Sequence, residues 1–185
     1  MAMLILECCT KKADYNSGYR DGYVLNEFLR MIDHPVDYHE VSRKSDLLDL
    51  LSDDLCYEHV YISSHGEVPE KGEAYLQLLR ARVYPEEFPE GCFAGTELVA
   101  LSACSLGKAA FADRLMQQTG ARMVVGPKKD VQFVDSAIFF LNLFYLMHRQ
   151  ERGVKSALAR TTEFLKGTRP FTGAFTVRCK EMKGN

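Results

Sequence analysis

Tryptophan is absent from this chain, and so are several patterns that would announce a function. No CxxC pair occurs, which removes a thioredoxin-like redox site, and no zinc-ligand spacing is visible. There is no Gly-rich phosphate loop and no acidic pair matching a phospho-acceptor site, which weighs against a ligand-binding or receiver-like α/β domain. Neither sign of charge dominates: 23 Lys and Arg against 25 Asp and Glu leave a formal net charge of −2. Nucleic acid and anionic membrane therefore have no electrostatic case. No internal repeat, low-complexity tract or Pro/Gly/Ser linker interrupts the chain, so one domain over residues 1–185 is expected. No apolar run reaches the roughly 20 residues of a bilayer span. The most apolar stretch, Phe133 to Met147, carries Asp135, Ser136 and Asn142 and reads as a buried or interfacial helix. The opening "MAMLILECCTKK" has neither the basic n-region nor the long apolar h-region of a secretory signal. A cytoplasmic protein is expected, its six cysteines kept as reduced thiols.

What is present alternates. "MLILECC" is a short continuous apolar run and predicts a buried strand. Tyr23, Val24, Phe28 and Leu29 through to Ile32 predict a helix that ends before "DHP". "VDYHEVS" alternates like a strand, and Ser45 is placed to cap a short helix through "DLLDLLSD". "HVYISS" and "ELVALSAC" are further strands, with an ambiguous segment between them whose prolines 85 and 89 limit any helix to a turn or two. "GKAAFADRLMQQTG" is a helix stopped by Gly120, and "ARMVVG" another strand. Helices over 133–149 and 153–166 then precede "AFTVRCK" as a last strand. Strands alternating with helices at this spacing imply βαβ units and a mostly parallel sheet, covered on both faces as a three-layer αβα sandwich.

In such sheets chemistry gathers beyond the carboxyl ends of the strands. His65 and Cys104 each follow a predicted strand directly. If those strands are parallel neighbours, their ends lie about 4.8 Å apart and both side chains face one crevice. A thiol with an ordinary pKa is only slightly ionised at neutral pH, so a nucleophilic cysteine gains from a nearby imidazole. Gly66 lacks a Cβ, so substrate can approach its backbone, and its N–H and that of Cys104 are candidates for an oxyanion site. Plainer roles stand beside these: a hydrogen-bonded structural histidine, and a buried cysteine acting as a small hydrophobe. Rival cysteine chemistries fit less well. A C-x5-R phosphatase loop fails at Ala110, and "SACSL" is not a G-x-C-x-G nucleophile elbow. A zinc set of Cys8, Cys9, His65 and Cys104 is conceivable, but no spacing supports it, and neither a metal nor a cofactor is expected.

The order strand–"SSHG", strand–"LVALSACSLG", helix and "GARMVVGPKKDV" resembles the caspase-like cysteine peptidases of clan CD, and most closely their bacterial CHAT-type branch. The correspondence covers about residues 57–150 and, more loosely, the first two strands. It implies the caspase-like fold, with His65 as general acid/base and Cys104 as the thiol nucleophile of peptide hydrolysis. Gly66 N–H and Cys104 N–H would form the oxyanion hole by the same carry-over. Members of that branch often carry a Trp-Pro before the aspartate after the fifth strand, whereas this chain reads "GPKKDVQFVDS". Relatives are commonly fused to repeat or sensor modules. Recruitment here would therefore rest on a separate protein partner or on self-association as a homodimer. Bacterial stress or phage-defence signalling is implied by the family alone.

Clan CD enzymes usually select a charged or polar residue just before the scissile bond. Glu7, Asp130 and Asp135 are the acidic candidates near the strand ends, each able to pair with Arg or Lys of a protein or peptide substrate. Asp135 also suits a helix N-cap, and Asp130 a solvated turn beside Lys128 or Lys129. Glu7 ends an apolar strand and needs a partner or water. A second reading stays open: a catalytically inactive caspase-like module that binds a partner through its crevice or through the 133–149 helix.

Overall fold

The computed structural model describes residues 2–8, 20–52, 57–167 and 171–179. Its strands are β1 (Met3–Cys8), β2 (Val36–Val41), β3 (His59–Ser63), β4 (His65–Glu67), β5 (Tyr75–Gln77), β6 (Arg82–Val83), β7 (Leu98–Ser102), β8 (Met123–Pro127) and β9 (Phe175–Cys179). The described helices are α1 (Asp21–Met31), α2 (Lys44–Ser52), α3 (Ala109–Thr119), α4 (Phe133–Phe144) and α5 (Val154–Phe164). A 3-10 turn covers Pro85–Glu87, and a π-turn, Tyr145–Arg149, continues α4.

Six strands form one sheet in the order β2-β1-β3-β7-β8-β9, parallel except for the antiparallel edge strand β9. β1, β3, β7 and β8 are buried along their whole length, which is why they read as continuous apolar runs in the sequence. Alternate residues serve opposite faces. Leu4, Leu6, Val60, Ile62, Val99, Leu101 and Val124 pack in one core with Leu47 and Leu51 of α2 and with Phe111 and Leu115 of α3. Met3, Ile5, Tyr61, Ala100 and Val125 pack in a second core with Leu25 and Leu29 of α1, Phe140 and Phe144 of α4, and Ala157 and Leu158 of α5. The result is the expected three-layer α/β sandwich with a mostly parallel sheet.

The ambiguous segment resolves into strands. β4, β5 and β6 make a small antiparallel sheet, and its Leu76 and Val83 join the first core with Phe88 and Phe93. Gly120 stops α3 as expected, in the left-handed region at φ 75° with its N–H on the Met116 carbonyl.

Two local expectations, the caps at Ser45 and Asp135, are corrected. Ser45 lies inside α2, and its hydroxyl meets Asp46 at 3.0 Å instead of capping the helix. Asp135 sits in the first turn of α4, whose N-cap is Gln132. In α1 the buried stripe is Leu25 and Leu29, four residues apart, while Tyr23 and Val24 face outward. Helix α4 buries Phe139, Phe140, Leu143 and Phe144 but exposes Val134 and Ile138, and packs against both α1 and α5.

Candidate active site

β3 and β7 are adjacent and parallel, with Ser63 opposite Ser102. The ladder runs one step further, as Ser64 N–H donates to the Ser102 carbonyl at 3.0 Å. At that point the chain leaves the large sheet, and His65 opens β4 of the small one. The Ser64 hydroxyl secures the corner by donating to the Gln77 carbonyl at 2.6 Å. Cys104 lies two residues beyond the end of β7, in the turn toward α3. Both half-buried side chains line a single cleft of about 620 Å³ with Gly66, Glu67, Asp130 and Phe133. The edge of one ring faces the other where His65 meets Phe133, with centroids 5.0 Å apart.

The Cys104 turn is tightly held. Ser105 adopts a left-handed φ of 62°, and its N–H donates to the Lys129 carbonyl at 3.3 Å. The Gly107 N–H donates to the Pro127 carbonyl at 2.8 Å. A Cβ on Gly107 would overlap the Gly126 carbonyl, so the turn can press onto the end of β8 only with glycine there. The Cys104 thiol donates to the Val131 carbonyl at 3.4 Å, and its sulfur accepts the Val131 N–H at 3.5 Å. Burial pushes this thiol above its ordinary pKa; the Val131 contact works against that rise and the Asp130 charge adds to it.

Gly66 has a reason that the sequence did not disclose. A Cβ there would overlap the Cys104 carbonyl oxygen and the Leu106 side chain. The glycine thus lets the backbone after His65 lie directly against the backbone of Cys104.

Of the three acidic candidates, only Asp130 lines the cleft, where it accepts the Ser105 hydroxyl at 3.3 Å. Asp135 is half-buried and is not among the lining residues. Glu7 is 3% exposed, sealed under α1, with its carboxylate accepting the Tyr23 N–H at 2.8 Å. The partner it needed comes from the protein itself, which takes it out of reach of a substrate side chain. Glu67 lines the cleft instead, accepting the Tyr75 hydroxyl at 2.6 Å; the sequence reading passed over it. Among the described residues, no Lys or Arg lines this cleft.

No family model and no curated protein matches the chain. Among solved structures, gingipain R, an Arg-specific cysteine proteinase, superposes with a TM-score of 0.64 at 12% identity, over 97% of this chain and 46% of its own. Saccharomyces cerevisiae separase, in its complex with securin, gives 0.56 at 16% identity, over 96% of this chain and 11% of its own. The fold is caspase-like. Both neighbours are clan CD cysteine proteinases, and this chain spans less than half the length of either.

Under the cleft, the caspase-like sheet carries a buried polar network that no spacing rule connects. Asp21, the first residue of α1, is 3% exposed and accepts the hydroxyls of Tyr61 at 2.7 Å, of Ser63 and of Ser102. Ser102 also meets Ser136 of α4 at 2.6 Å, and both of these serines reach the cleft wall. Burial raises the Asp21 pKa, opposed by the Ser102, Ser63 and Tyr61 hydroxyls. Glu7 is pushed up to about 7 by burial and by the Asp21 charge. Gly22 permits this crowding, since a Cβ there would come within 2.6 Å of the Glu7 carboxylate. The network ties β1, β3, β7, α1 and α4 together directly behind the residues that line the cleft. Among the described residues, no helix is long and apolar enough to cross a membrane.

Proposed function

We propose that this chain is a cysteine endopeptidase in which His65 and Cys104 form the catalytic dyad. The observation that carries the reading is their shared cleft: each follows one of two adjacent parallel strands, within a caspase-like fold. In this mechanism Cys104 Sγ attacks the scissile carbonyl carbon while the His65 imidazole takes the thiol proton. The oxyanion is met by the N–H groups of Gly66 and Cys104, and the imidazole returns the proton to the leaving amine. Water, deprotonated by His65, then hydrolyses the thioester and releases the second product. The carboxylates of Asp130 and Glu67, with no cationic lining residue among the described residues, support a preference for a basic residue before the cut. The CHAT-type affinity, a bacterial stress or phage-defence role, a cytoplasmic site of action and a recruiting protein partner belong to the same proposal, supported by the "SSHG" and "SAC" motif order.

One observation favours the second reading, a caspase-like interaction module without activity. The Cys104 thiol is drawn toward the Val131 carbonyl and kept above its ordinary pKa by burial, a resting state that is not primed for attack. A peptide-library cleavage assay of wild type, Cys104→Ala and His65→Ala decides between them. Turnover by wild type, lost in both variants and concentrated after Arg or Lys, is the expected result. Equal turnover by Cys104→Ala overturns the nucleophile. Absence of turnover in all three, including with added candidate partners, favours the binding module.

A further inference from the structure

At the opposite end of the sheet, three histidines converge from distant parts of the chain. His59 opens β3, roughly 20 Å along the strand from His65. His34 follows α1, and His148 lies in the π-turn after α4. The His34 and His148 rings stack with centroids 3.7 Å apart, and the His59 ring meets His148 edge-on at 5.1 Å. The Nε2 atoms of all three are buried and have no hydrogen-bond partner. His59 itself is only 5% exposed.

Two carboxylates complete the group. Ligand atoms of Glu58, His59 and Glu97 all lie within 4.8 Å of one another. His59 Nε2 stands 3.8 Å from the Glu97 carboxylate, too far for a hydrogen bond. Two donors on one tetrahedral zinc ion, each about 2.0–2.1 Å from it, sit roughly 3.3 Å apart. The separation is thus closer to that of two ligands sharing a cation than to that of a donor and its acceptor. The backbone holds the carboxylates in place, since the Glu97 N–H donates to the Glu58 carbonyl at 2.8 Å.

Packing alone gives a poor account of these rings. A structural histidine normally satisfies its buried nitrogens, because an orphaned polar atom costs free energy. Here three imidazole nitrogens are orphaned side by side, with the Glu58 and Glu97 carboxylates next to His59. Mixed imidazole and carboxylate donors suit a first-row transition ion better than calcium or magnesium, which favour oxygen alone.

We propose that His59, Glu58 and Glu97, with water as the fourth donor, form a site for a divalent transition metal of the zinc class. The stacked His34 and His148 rings form the wall beside His59. The ion would join the start of β3 to the loop before β7, at the end of the sheet remote from the cleft.

The test uses the tag-free full chain, stripped with chelator and titrated with Zn2+ or Co2+. One ion per chain is expected, with a rise in Tm on adding Zn2+. Cobalt should give the visible bands of a four-coordinate site without thiolate charge transfer. His59→Ala should weaken Zn2+ binding about tenfold or more. Glu97→Gln, whose carboxylate is partly exposed and whose replacement leaves no cavity, should do the same while its metal-free form keeps the wild-type Tm. Cys104→Ala should leave binding intact. Absence of stoichiometric binding, binding unchanged in Glu97→Gln, or binding lost in Cys104→Ala would each overturn the proposal.

Discussion

The α-carbon of Gly66 lies against the carbonyl oxygen of Cys104, so closely that a side chain there would overlap it. This contact joins the corner after β3 to the turn after β7 and sets how the two halves of the cleft meet. Both partners are backbone or near-backbone atoms, which have little freedom to yield.

Gly66→Ala should therefore be costly in two ways. Overpacking against the Cys104 carbonyl and Leu106 should lower stability by about 2 kcal/mol, read from urea unfolding. The displaced turn should also reduce peptide turnover well below what the loss of folded protein explains. Unchanged stability would mean that the turn gives way easily.

Glu7 links stability to pH. Its folded pKa of about 7 stands above its ordinary 4.5, so the folded chain holds more protons than the unfolded chain between those values. Stability should fall as pH rises through that window, by roughly 3 kcal/mol in all, and then level off above it. Glu7→Gln mimics the protonated carboxyl and can still accept the Tyr23 N–H. Its stability should vary less with pH across the window, and it should exceed wild type at pH 8. Parallel pH profiles of the two proteins in denaturant unfolding would show that Glu7 is not the group responsible.

Cys104 reactivity reports its resting state. Because burial raises its pKa, alkylation by iodoacetamide at pH 7 should be slower at Cys104 than at the exposed Cys179, and should accelerate as pH rises. Peptide mass spectrometry over time resolves the two sites. Faster labelling at Cys104 at pH 7 would mean that the thiol is already activated.

The strands behind His65 and Cys104 were legible because burial on both faces demands unbroken apolar runs, "HVYIS" and "LVALS", each ending two residues before its candidate residue. The βαβ rhythm suggested a mostly parallel sheet, whereas the pairing of Ser63 with Ser102 came from the structure. The direction of β9 was not legible: an apolar run fixes burial but does not encode whether its strand runs with or against its neighbour. Asp21 was passed over because an acidic residue at a helix start ordinarily faces water and complements the helix dipole. Its three hydroxyl partners come from two strands that are contiguous with it only in space.

Local pattern alone thus determined the order of the main strands and helices, the α/β class and the two strand-end candidates, since hydrophobic periodicity and turn chemistry act over neighbouring positions. Tertiary structure decided which acids face the cleft, sealing Glu7 under α1 while leaving Asp130 and Glu67 at the wall. It also decided that Gly66 serves a backbone contact and that His34, His59 and His148 meet at all. Each of these depends on residues far apart in the chain whose approach is set by strand order and helix packing, and no short-range pattern records that.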